Sequence, residues 1–242
     1  MSGIDAVIFD WGGTLTRWHD IDFHAESLAL ASAVVQATDP DGSRVVEPAE
    51  IHARALHEAG AKVWGRSRDH QQSATIADLF TEAGLEHDPE LLTAYYEFWV
   101  PHTETDPEVR PLWEWLRAEG IKVGVLSNTV WPREWHVGFF ERDGVAHLID
   151  GDVYTSEVPW TKPAPEAFAA AMEAVGVSDP ARCVYVGDRL YDDVWGAQSA
   201  GMRAIHVPHS AIPAEQRGHT EGEPDAVAQR LSDIPDLIAP WR

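Results

Sequence analysis

The feature of this sequence that most constrains its fold is a series of short apolar runs separated by segments with helical periodicity. Each run has the length of a buried strand. The runs are Ala6–Phe9, Ile121–Leu126, Arg182–Val186 and Arg203–Val207. Segments whose apolar residues recur every three or four positions precede or separate the last three: Val109–Ala118, Pro163–Val175 and Val194–Ala200. Strands that alternate with helices predict an α/β fold with a parallel sheet covered on both faces.

The stretch between the first and second runs breaks this alternation. Residues 20–104 contain no convincing strand but four helical patterns. These patterns are Asp22–Gln36, Pro48–Trp64, Ser73–Ala83 and Pro89–Val100. The sequence therefore predicts a helical domain of residues 20–104, inserted into a core made of residues 1–19 and 105–242. Near the C-terminus, the sequence predicts a polar loop at His209–Asp225 and a short helix at Ala226–Leu231.

The amino-acid composition limits the kinds of molecule that the protein can bind. The 242 residues carry a formal net charge of −22, which argues against nucleic acid or an anionic membrane as a partner. An anionic small molecule needs local cations, backbone N–H groups or a metal. Cys183, the only cysteine, lies in an apolar run and is expected to be a buried structural thiol. Neither a signal peptide nor a membrane span is evident, so we expect a cytoplasmic protein; its oligomeric state is open.

Polar residues stand at the strand ends, where ligands bind in open parallel sheets. Asp10 follows the first run, and Ser127 with Asn128 follows the second. Asp188, with Asp192 and Asp193 shortly after it, follows the third, and Lys162 opens the helical pattern that begins at Pro163. We expect these points to converge on one rim of the sheet.

Their chemistry suits a phosphate. Asp10 and Asp188 are hard oxygen donors that can hold Mg²⁺, and Ser127 can hydrogen-bond phosphate oxygens. Lys162 offers a fixed positive charge, which with Mg²⁺ offsets the repulsion between a carboxylate and a phosphoryl group. Asp10 can then attack phosphorus and form an aspartyl-phosphate, which water hydrolyses.

Taken together, four segments resemble the motifs of the haloacid dehalogenase-like hydrolase superfamily. They are Phe9–Leu15, Leu126–Asn128, Thr161–Phe168 and Val186–Asp193, the last with Gly196, Ala197 and Ala200–Met202. The resemblance covers about residues 1–18 and 105–210. It implies a Rossmann-like parallel sheet with a helical cap domain inserted after the first motif.

The resemblance also implies roles. Asp10 is the expected nucleophile and a Mg²⁺ ligand; the carbonyl of Gly12 and the carboxylate of Asp188 are further ligands, and Asp193 acts through water. Ser127 and Lys162 would hold the phosphoryl oxygens. Asp192 ranks below Asp193 because the family often has Asn at its position. The expected substrate-binding residues are Trp11, Gly13, Asn128, Arg66 and Arg68.

Gly12 departs from the family pattern. Phosphatases of this family usually carry an aspartate there, which protonates the leaving group and then activates water. A glycine retains the backbone carbonyl for the metal but lacks this general acid–base group, whose help is worth ~10²–10⁴ in rate.

Three interpretations remain open. The chain is a phosphohydrolase whose leaving group departs unprotonated, as from an acyl phosphate, or is protonated by a cap histidine: His19, His24, His52, His57 or His70. Alternatively, it resembles phosphonoacetaldehyde hydrolases, which have a small residue at the position of Gly12 and form a Schiff base on a cap lysine, here Lys62. Thirdly, it is a non-catalytic binding module. A 2-haloacid dehalogenase is less consistent with the metal-binding pattern.

The cap would choose the substrate. Its segment Val63–His70 mixes aromatic and basic residues, and Arg66 or Arg68 can meet a second anionic group. Several tryptophans are candidates for the site wall: Trp11, Trp18, Trp131, Trp135 and Trp160. The sequence does not identify the substrate.

Overall fold

A computed structural model describes residues 3–17, 22–38, 48–85, 92–208 and 219–242. The strands are β1 (Ala6–Phe9), β2 (Lys122–Ser127), β3 (Gly151–Tyr154), β4 (Cys183–Gly187), β5 (Arg203–His206) and β6 (Ala226–Val227). The first four α-helices are α1 (Phe23–Thr38), α2 (Ala49–His70), α3 (Ile76–Glu82) and α4 (Thr93–Trp99). The others are α5 (Val109–Ala118), α6 (Arg133–Arg142), α7 (Pro165–Val175), α8 (Gly196–Ser199) and α9 (Ile234–Ile238).

The strands of the described residues form one parallel sheet in the order β3-β2-β1-β4-β5-β6. β1 lies between β2 and β4, and all four of its residues are fully buried. This explains why the run is continuously apolar, since a central parallel strand is covered on both faces. The prediction of an α/β fold with a parallel sheet is confirmed.

Helices cover both faces of the sheet. The amphipathic helix α5 buries Val109, Leu112, Trp113 and Leu116, which recur at helical spacing. On the other face, Phe168 of α7 packs in a cluster with Ile8 and Tyr185 of the sheet. Helix α7 ends at Gly176, whose φ of 72° is the left-handed conformation that favours glycine.

Helices α1–α4 occupy the stretch between β1 and α5, and we call them the inserted helices. α1 packs against α2 and α4, and Leu30, Leu56 and Phe80 belong to the same apolar cluster as Phe9 of the sheet. The inserted helices also bond to core loops through the backbone, because Ile76 N–H donates to the Val130 carbonyl at 2.9 Å. None of the helices described is long and apolar enough to cross a membrane.

Some predicted elements differ from those observed. The expected helix at Ala226–Leu231 was wrong, because Ala226 and Val227 form the edge strand β6. The expected helix at Val194–Ala200 is confirmed in part as α8, and the π-helical turn Leu190–Trp195 precedes it. β3 and α6 had no counterpart among the predictions. Trp18, His19, most of the polar loop at His209–Asp225 and part of the helical pattern at Pro89–Val100 lie outside the described residues.

Candidate active site

Three neighbouring strands bring polar side chains to one edge of the sheet. Asp10 follows β1, Ser127 ends β2 and Asp188 follows β4. All three residues are buried, with at most 6% of their surface exposed. Their proximity is a consequence of topology, since the carboxyl ends of parallel strands meet at the same rim.

Lys162 connects this group to the loop before α7. Its ammonium Nζ donates to Asp10 Oδ1 at 2.6 Å, to Asp193 Oδ1 at 2.7 Å and to the Tyr185 hydroxyl at 2.9 Å. Burial lowers the pKa of Lys162, but the carboxylates of Asp10 and Asp193 outweigh burial and hold that pKa well above its ordinary value. Lys162 is therefore a fixed cation at the centre of the site.

Asp193 reaches the group from the π-helical turn after β4. Its Oδ2 accepts the Arg189 backbone N–H at 2.8 Å, and its side chain is fully buried. The approach to β4 is so close that a Cβ atom built on Gly187 would lie 2.3 Å from Asp193 Cγ. Gly187 thus permits the position of Asp193, and an irregular helical turn at such a point is typical of functional sites.

The carboxylates of Asp10, Asp188 and Asp193 fit a divalent cation. One oxygen from each lies within 4.8 Å of the other two, and all three residues are buried. Carboxylate oxygens in this number are the donors that Mg²⁺ takes in phosphate-handling sites. With Asp192 included, four carboxylates face the two cations Lys162 and Arg189, an excess of negative charge that a divalent cation would offset.

The pKa of Asp10 reflects these opposing influences. Burial raises it from 3.8 to about 6, against the lowering effect of the Lys162 ammonium. A carboxylate this poorly solvated has lost most of the water that would otherwise compete with a reacting group.

Asn128 and Tyr185 hold Lys162 in place. The sequence suggested substrate binding for Asn128 and no role for Tyr185. Asn128, expected to bind substrate, lines the cavity, but its Nδ2 donates to the Lys162 carbonyl at 3.0 Å and its Oδ1 accepts the Lys162 N–H at 2.8 Å. Tyr185 also donates its hydroxyl to the Leu126 carbonyl at 2.9 Å. Tyr185 was missed because it lies inside an apolar run and reads as a core residue.

Gly12 lies in the turn after Asp10. A Cβ atom built on it would meet no atom of the described residues within 4 Å, apart from its chain neighbours. The adjacent Gly13 has a φ of 89° and donates its N–H to the Thr16 carbonyl at 2.8 Å. The turn therefore depends on Gly13 for its backbone conformation, whereas the space at Gly12 is open.

A cavity of about 810 Å³ extends from Asp10 into the inserted helices. Its core end contains Asp10, Ser127, Lys162 and Arg189. Its other walls are largely apolar and aromatic, and among them are Phe23, Leu30, Leu56, Tyr95, Trp99 and Trp131. Ligand sites commonly have this size and this mixture of apolar walls and a few polar groups.

The basic residues predicted in the inserted helices separate into two groups. Arg68 lines the cavity and bonds Asp69 at 3.3 Å. Arg66 and Lys62 are not among the lining residues, and both bind the Glu82 carboxylate, at 2.9 and 3.1 Å. Lys62 is 61% exposed, so the structure does not bring it to Asp10.

The predicted histidines and tryptophans separate in the same way. His57 lines the cavity, whereas His24, His52 and His70 do not. Trp11 and Trp131 line it with their rings 5.7 Å apart. Trp135 packs against Tyr95 and Tyr96 instead, and Trp160 is 40% exposed.

Glu26 of α1 also lines the cavity, and sequence reasoning missed it. Its Oε1 accepts the Tyr95 hydroxyl at 2.5 Å, and that hydroxyl accepts Trp131 Nε1–H at 3.3 Å. Burial raises the pKa of Glu26 from 4.5 to about 6. The packing of α1 against α4 brings Glu26 into the cavity wall. In the sequence, nothing distinguishes Glu26 from the other acidic residues.

Comparisons of this chain with protein families, with individual proteins and with solved structures agree on one family. The profile of the haloacid dehalogenase-like hydrolases matches residues 4–201. The chain is 26% identical over 239 residues, 97% of each chain, to a Methanopyrus kandleri protein named glyceraldehyde 3-phosphate phosphatase. A HAD phosphatase structure from Thermococcus onnurineus has a TM-score of 0.65 and 23% identity, covering 98% of each chain.

A second solved structure bears on the choice of chemistry. A 2-haloacid dehalogenase from Pseudomonas syringae pv. Tomato has a TM-score of 0.64 and 24% identity, covering 99% of this chain and 100% of its own. Fold likeness therefore extends to enzymes of both chemistries, and the reaction has to be argued from the site.

Proposed function

This chain belongs to the haloacid dehalogenase-like hydrolases, and on that premise we propose that it is a Mg²⁺-dependent phosphohydrolase acting on a small phosphorylated metabolite. The observation that carries the proposal is the contact of Lys162 Nζ with both Asp10 and Asp193, beside a third buried carboxylate, Asp188. A phosphoryl group needs a nucleophile and compensating positive charge at one point.

In the proposed reaction, a carboxylate oxygen of Asp10 attacks phosphorus while the bond from phosphorus to the leaving-group oxygen breaks. Water then attacks the aspartyl-phosphate, phosphate departs and the Asp10 carboxylate is restored. Ser127 and the Lys162 ammonium bind phosphoryl oxygens, and Asn128 holds the Lys162 backbone. Mg²⁺, held by Asp10, Asp188, the Gly12 carbonyl and, through water, Asp193, would supply positive charge against the phosphoryl oxygens.

The leaving group sets the demand for a proton. The leaving group of an acyl phosphate is a stable carboxylate and needs no proton. The leaving group of an alkyl phosphate is an alkoxide, which has to be protonated. Because Gly12 offers no acid, we propose that good leaving groups react fastest. The inserted helices, within residues 20–104, would act as a cap domain on a core of residues 1–19 and 105–242, enclosing the leaving group and excluding water.

Phosphate release from acetyl phosphate, with and without Mg²⁺, tests the proposal. We expect Mg²⁺-dependent turnover in the natural protein and none in Asp10→Asn. Asp236→Asn, which alters an exposed carboxylate of α9, is the matched control and should retain full activity. Inactivity of the natural protein in every arm would favour a non-catalytic binding module.

A parallel assay with L-2-chloropropionate examines dehalogenation, the reaction in the name of one structural neighbour. We expect no chloride release, because the Lys162 contacts and the three carboxylates favour phosphate chemistry. Metal-independent chloride release, without phosphate release from acetyl phosphate, would overturn the assignment.

A further inference from the structure

Glu26 of α1 is a carboxylate in the wall of the same cavity as Asp10. Of the carboxylates that line the cavity in the described parts of the chain, Asp10 and Asp192 belong to the core and Glu26 belongs to the inserted helices. Its side chain accepts a hydrogen bond from a neutral group, the Tyr95 hydroxyl, at 2.5 Å. The ion pairs found among the described residues do not include Glu26.

A carboxylate in such surroundings is costly without a positive partner. Burial raises the pKa of Glu26 to about 6, as expected for a poorly solvated acid without a counter-ion. Two arginines that line the cavity pair with other carboxylates, Arg17 with Asp106 and Arg68 with Asp69. Lys62 and Arg66 of α2 are paired with Glu82. A ligand with a positive charge would therefore give Glu26 the ion pair that the described residues do not provide.

The walls beside Glu26 also suit a cation. Tyr95 and Trp99 line the cavity with ring centroids 6.4 Å apart, and Trp131 continues the wall 4.9 Å from Trp99. Aromatic faces attract ammonium groups through their quadrupoles, and the attraction grows when water is excluded. A carboxylate and several aromatic rings on one wall form a recognisable environment for an organic ammonium ion.

The charge of the whole chain points the same way. A formal net charge of −22 opposes the approach of a dianionic ester. An ammonium group on the ester reduces its net negative charge and is attracted by the same field.

Resting on the proposed phosphohydrolase function, we propose that the leaving group of the substrate carries an ammonium group that binds Glu26 and the rings of Tyr95 and Trp99. The substrate class is thus the phosphorylated compounds whose leaving group carries an ammonium group, and those whose leaving group departs without a proton should react fastest. The phosphoryl end lies at Asp10, and an apolar or aromatic body spans the cavity between the two ends.

Two non-hydrolysable ligands of matched shape test this proposal: 4-(aminomethyl)benzylphosphonate and 4-ethylbenzylphosphonate. They differ only in an ammonium group in place of a methyl group. Isothermal titration calorimetry with Mg²⁺ at neutral pH should show at least about tenfold tighter binding of the ammonium ligand. In Glu26→Gln, which keeps the size and an acceptor for Tyr95, the ratio of the two dissociation constants should fall to within about twofold of one.

Two further variants make the result specific. Glu82→Gln removes a carboxylate of the inserted helices that does not line the cavity, and it should keep the ratio of the natural protein. Tyr95→Phe removes the hydrogen bond to Glu26 but leaves its charge, so the ammonium ligand should still be preferred. Thermal unfolding of each variant reports whether it is folded.

A ratio near one in the natural protein, a ratio that Glu26→Gln leaves intact, or no binding of either ligand would overturn the proposal. Hydrolysis of acetyl phosphate, which carries no ammonium group, is measured on the same preparations. If acetyl phosphate is cleaved but the ligands are not distinguished, the ammonium assignment fails and the phosphohydrolase assignment stands. If acetyl phosphate is not cleaved in any preparation, the phosphohydrolase assignment itself fails.

Discussion

Gly12 is the residue that most directly links this sequence to a choice of substrate. Its neighbour Asp10 keeps the contact with Lys162 that the proposed nucleophile requires. The open space at Gly12 means that the glycine is not required by packing, since a Cβ atom there would meet no described atom within 4 Å. The φ of Gly12 is not positive, so a larger residue is also compatible with the backbone.

Gly12→Asp should therefore fold and should restore a proton donor beside the leaving group. We expect turnover of benzyl phosphate to rise by about tenfold or more, within the ~10²–10⁴ range of general acid–base help. Acetyl phosphate, which needs no proton, should change little. Steady-state kcat for the two substrates provides the comparison.

Gly12→Asn is the control for the size and polarity of the new side chain, because it cannot donate a carboxylic proton. An equal gain in Gly12→Asn, or equal losses on both substrates in Gly12→Asp, would contradict a missing acid at this position.

At the scale of elements, the junction between β4 and the π-helical turn would set the geometry of the proposed metal site. Gly187 ends β4, and Asp193 folds back over it. The Asp193 carboxylate accepts both the Lys162 ammonium and the Arg189 N–H, so its position is fixed from two sides.

Gly187→Ala should displace Asp193, because the new methyl group would lie 2.3 Å from Asp193 Cγ. The expected result is a Mg²⁺ requirement shifted upwards by about tenfold or more and a lower kcat at saturating metal, since outer groups of a metal site commonly matter by 10–100-fold. Mg²⁺ titration of acetyl phosphate hydrolysis measures both quantities.

Gly65→Ala is the matched control within α2. The atom nearest to its new methyl group is Arg68 Nη2 at 3.9 Å, so no clash arises. Alanine in a helix interior should raise the free energy of unfolding by roughly 0.5–1 kcal/mol. A normal Mg²⁺ requirement in Gly187→Ala would show that Asp193 is dispensable for the metal.

The elements that the sequence predicted best are those whose burial is uniform or strictly periodic. β1 is apolar at all four positions, and α5 follows its helical spacing to the residue. β3 and β6 were missed because they are sheet edges, with short and only partly buried runs. The same reason explains why the two-residue strand β6 was mistaken for part of a helix.

The site divides in a similar way. Strand ends are read directly from sequence, so Asp10, Ser127 and Asp188 were predicted to meet at one rim, and they do. Contacts that join distant elements leave no local pattern. The bond between Glu26 of α1 and Tyr95 of α4 spans 69 positions, and the bond of Lys162 to Tyr185 depends on sheet pairing.

For the molecule as a whole, we expect stability in acid to depend on His136, a histidine of α6. His136 is fully buried, its ring stacked on Tyr154 at 4.3 Å and edge-on to Trp11 at 4.6 Å. Burial lowers the pKa of His136 from 6.5 to about 3. As pH falls below 6.5, the unfolded chain binds a proton at this residue and the folded chain does not, so the folded state loses stability.

Because of His136, we expect the free energy of unfolding to fall by roughly 2 kcal/mol between neutral pH and about pH 5. His136→Phe keeps the ring but cannot titrate, so its loss over the same interval should be smaller by that amount. Urea unfolding at several pH values without Mg²⁺ gives the difference. His70→Gln, an exposed histidine at the end of α2, should behave like the natural protein; identical pH profiles for His136→Phe and the natural protein would refute the argument.

The net charge of −22 makes a further prediction about the whole molecule. Because the field of the chain opposes a dianionic ester, added salt should screen the repulsion and raise kcat/KM, with little change in kcat. Between about 20 and about 200 mM KCl at fixed Mg²⁺, we expect a rise of roughly two- to fivefold for benzyl phosphate. An ester that carries an ammonium group should gain less, because its net charge is smaller. If kcat/KM instead falls with salt for both esters, the cations around Lys162 and Arg189, rather than the charge of the chain, control the approach of substrate.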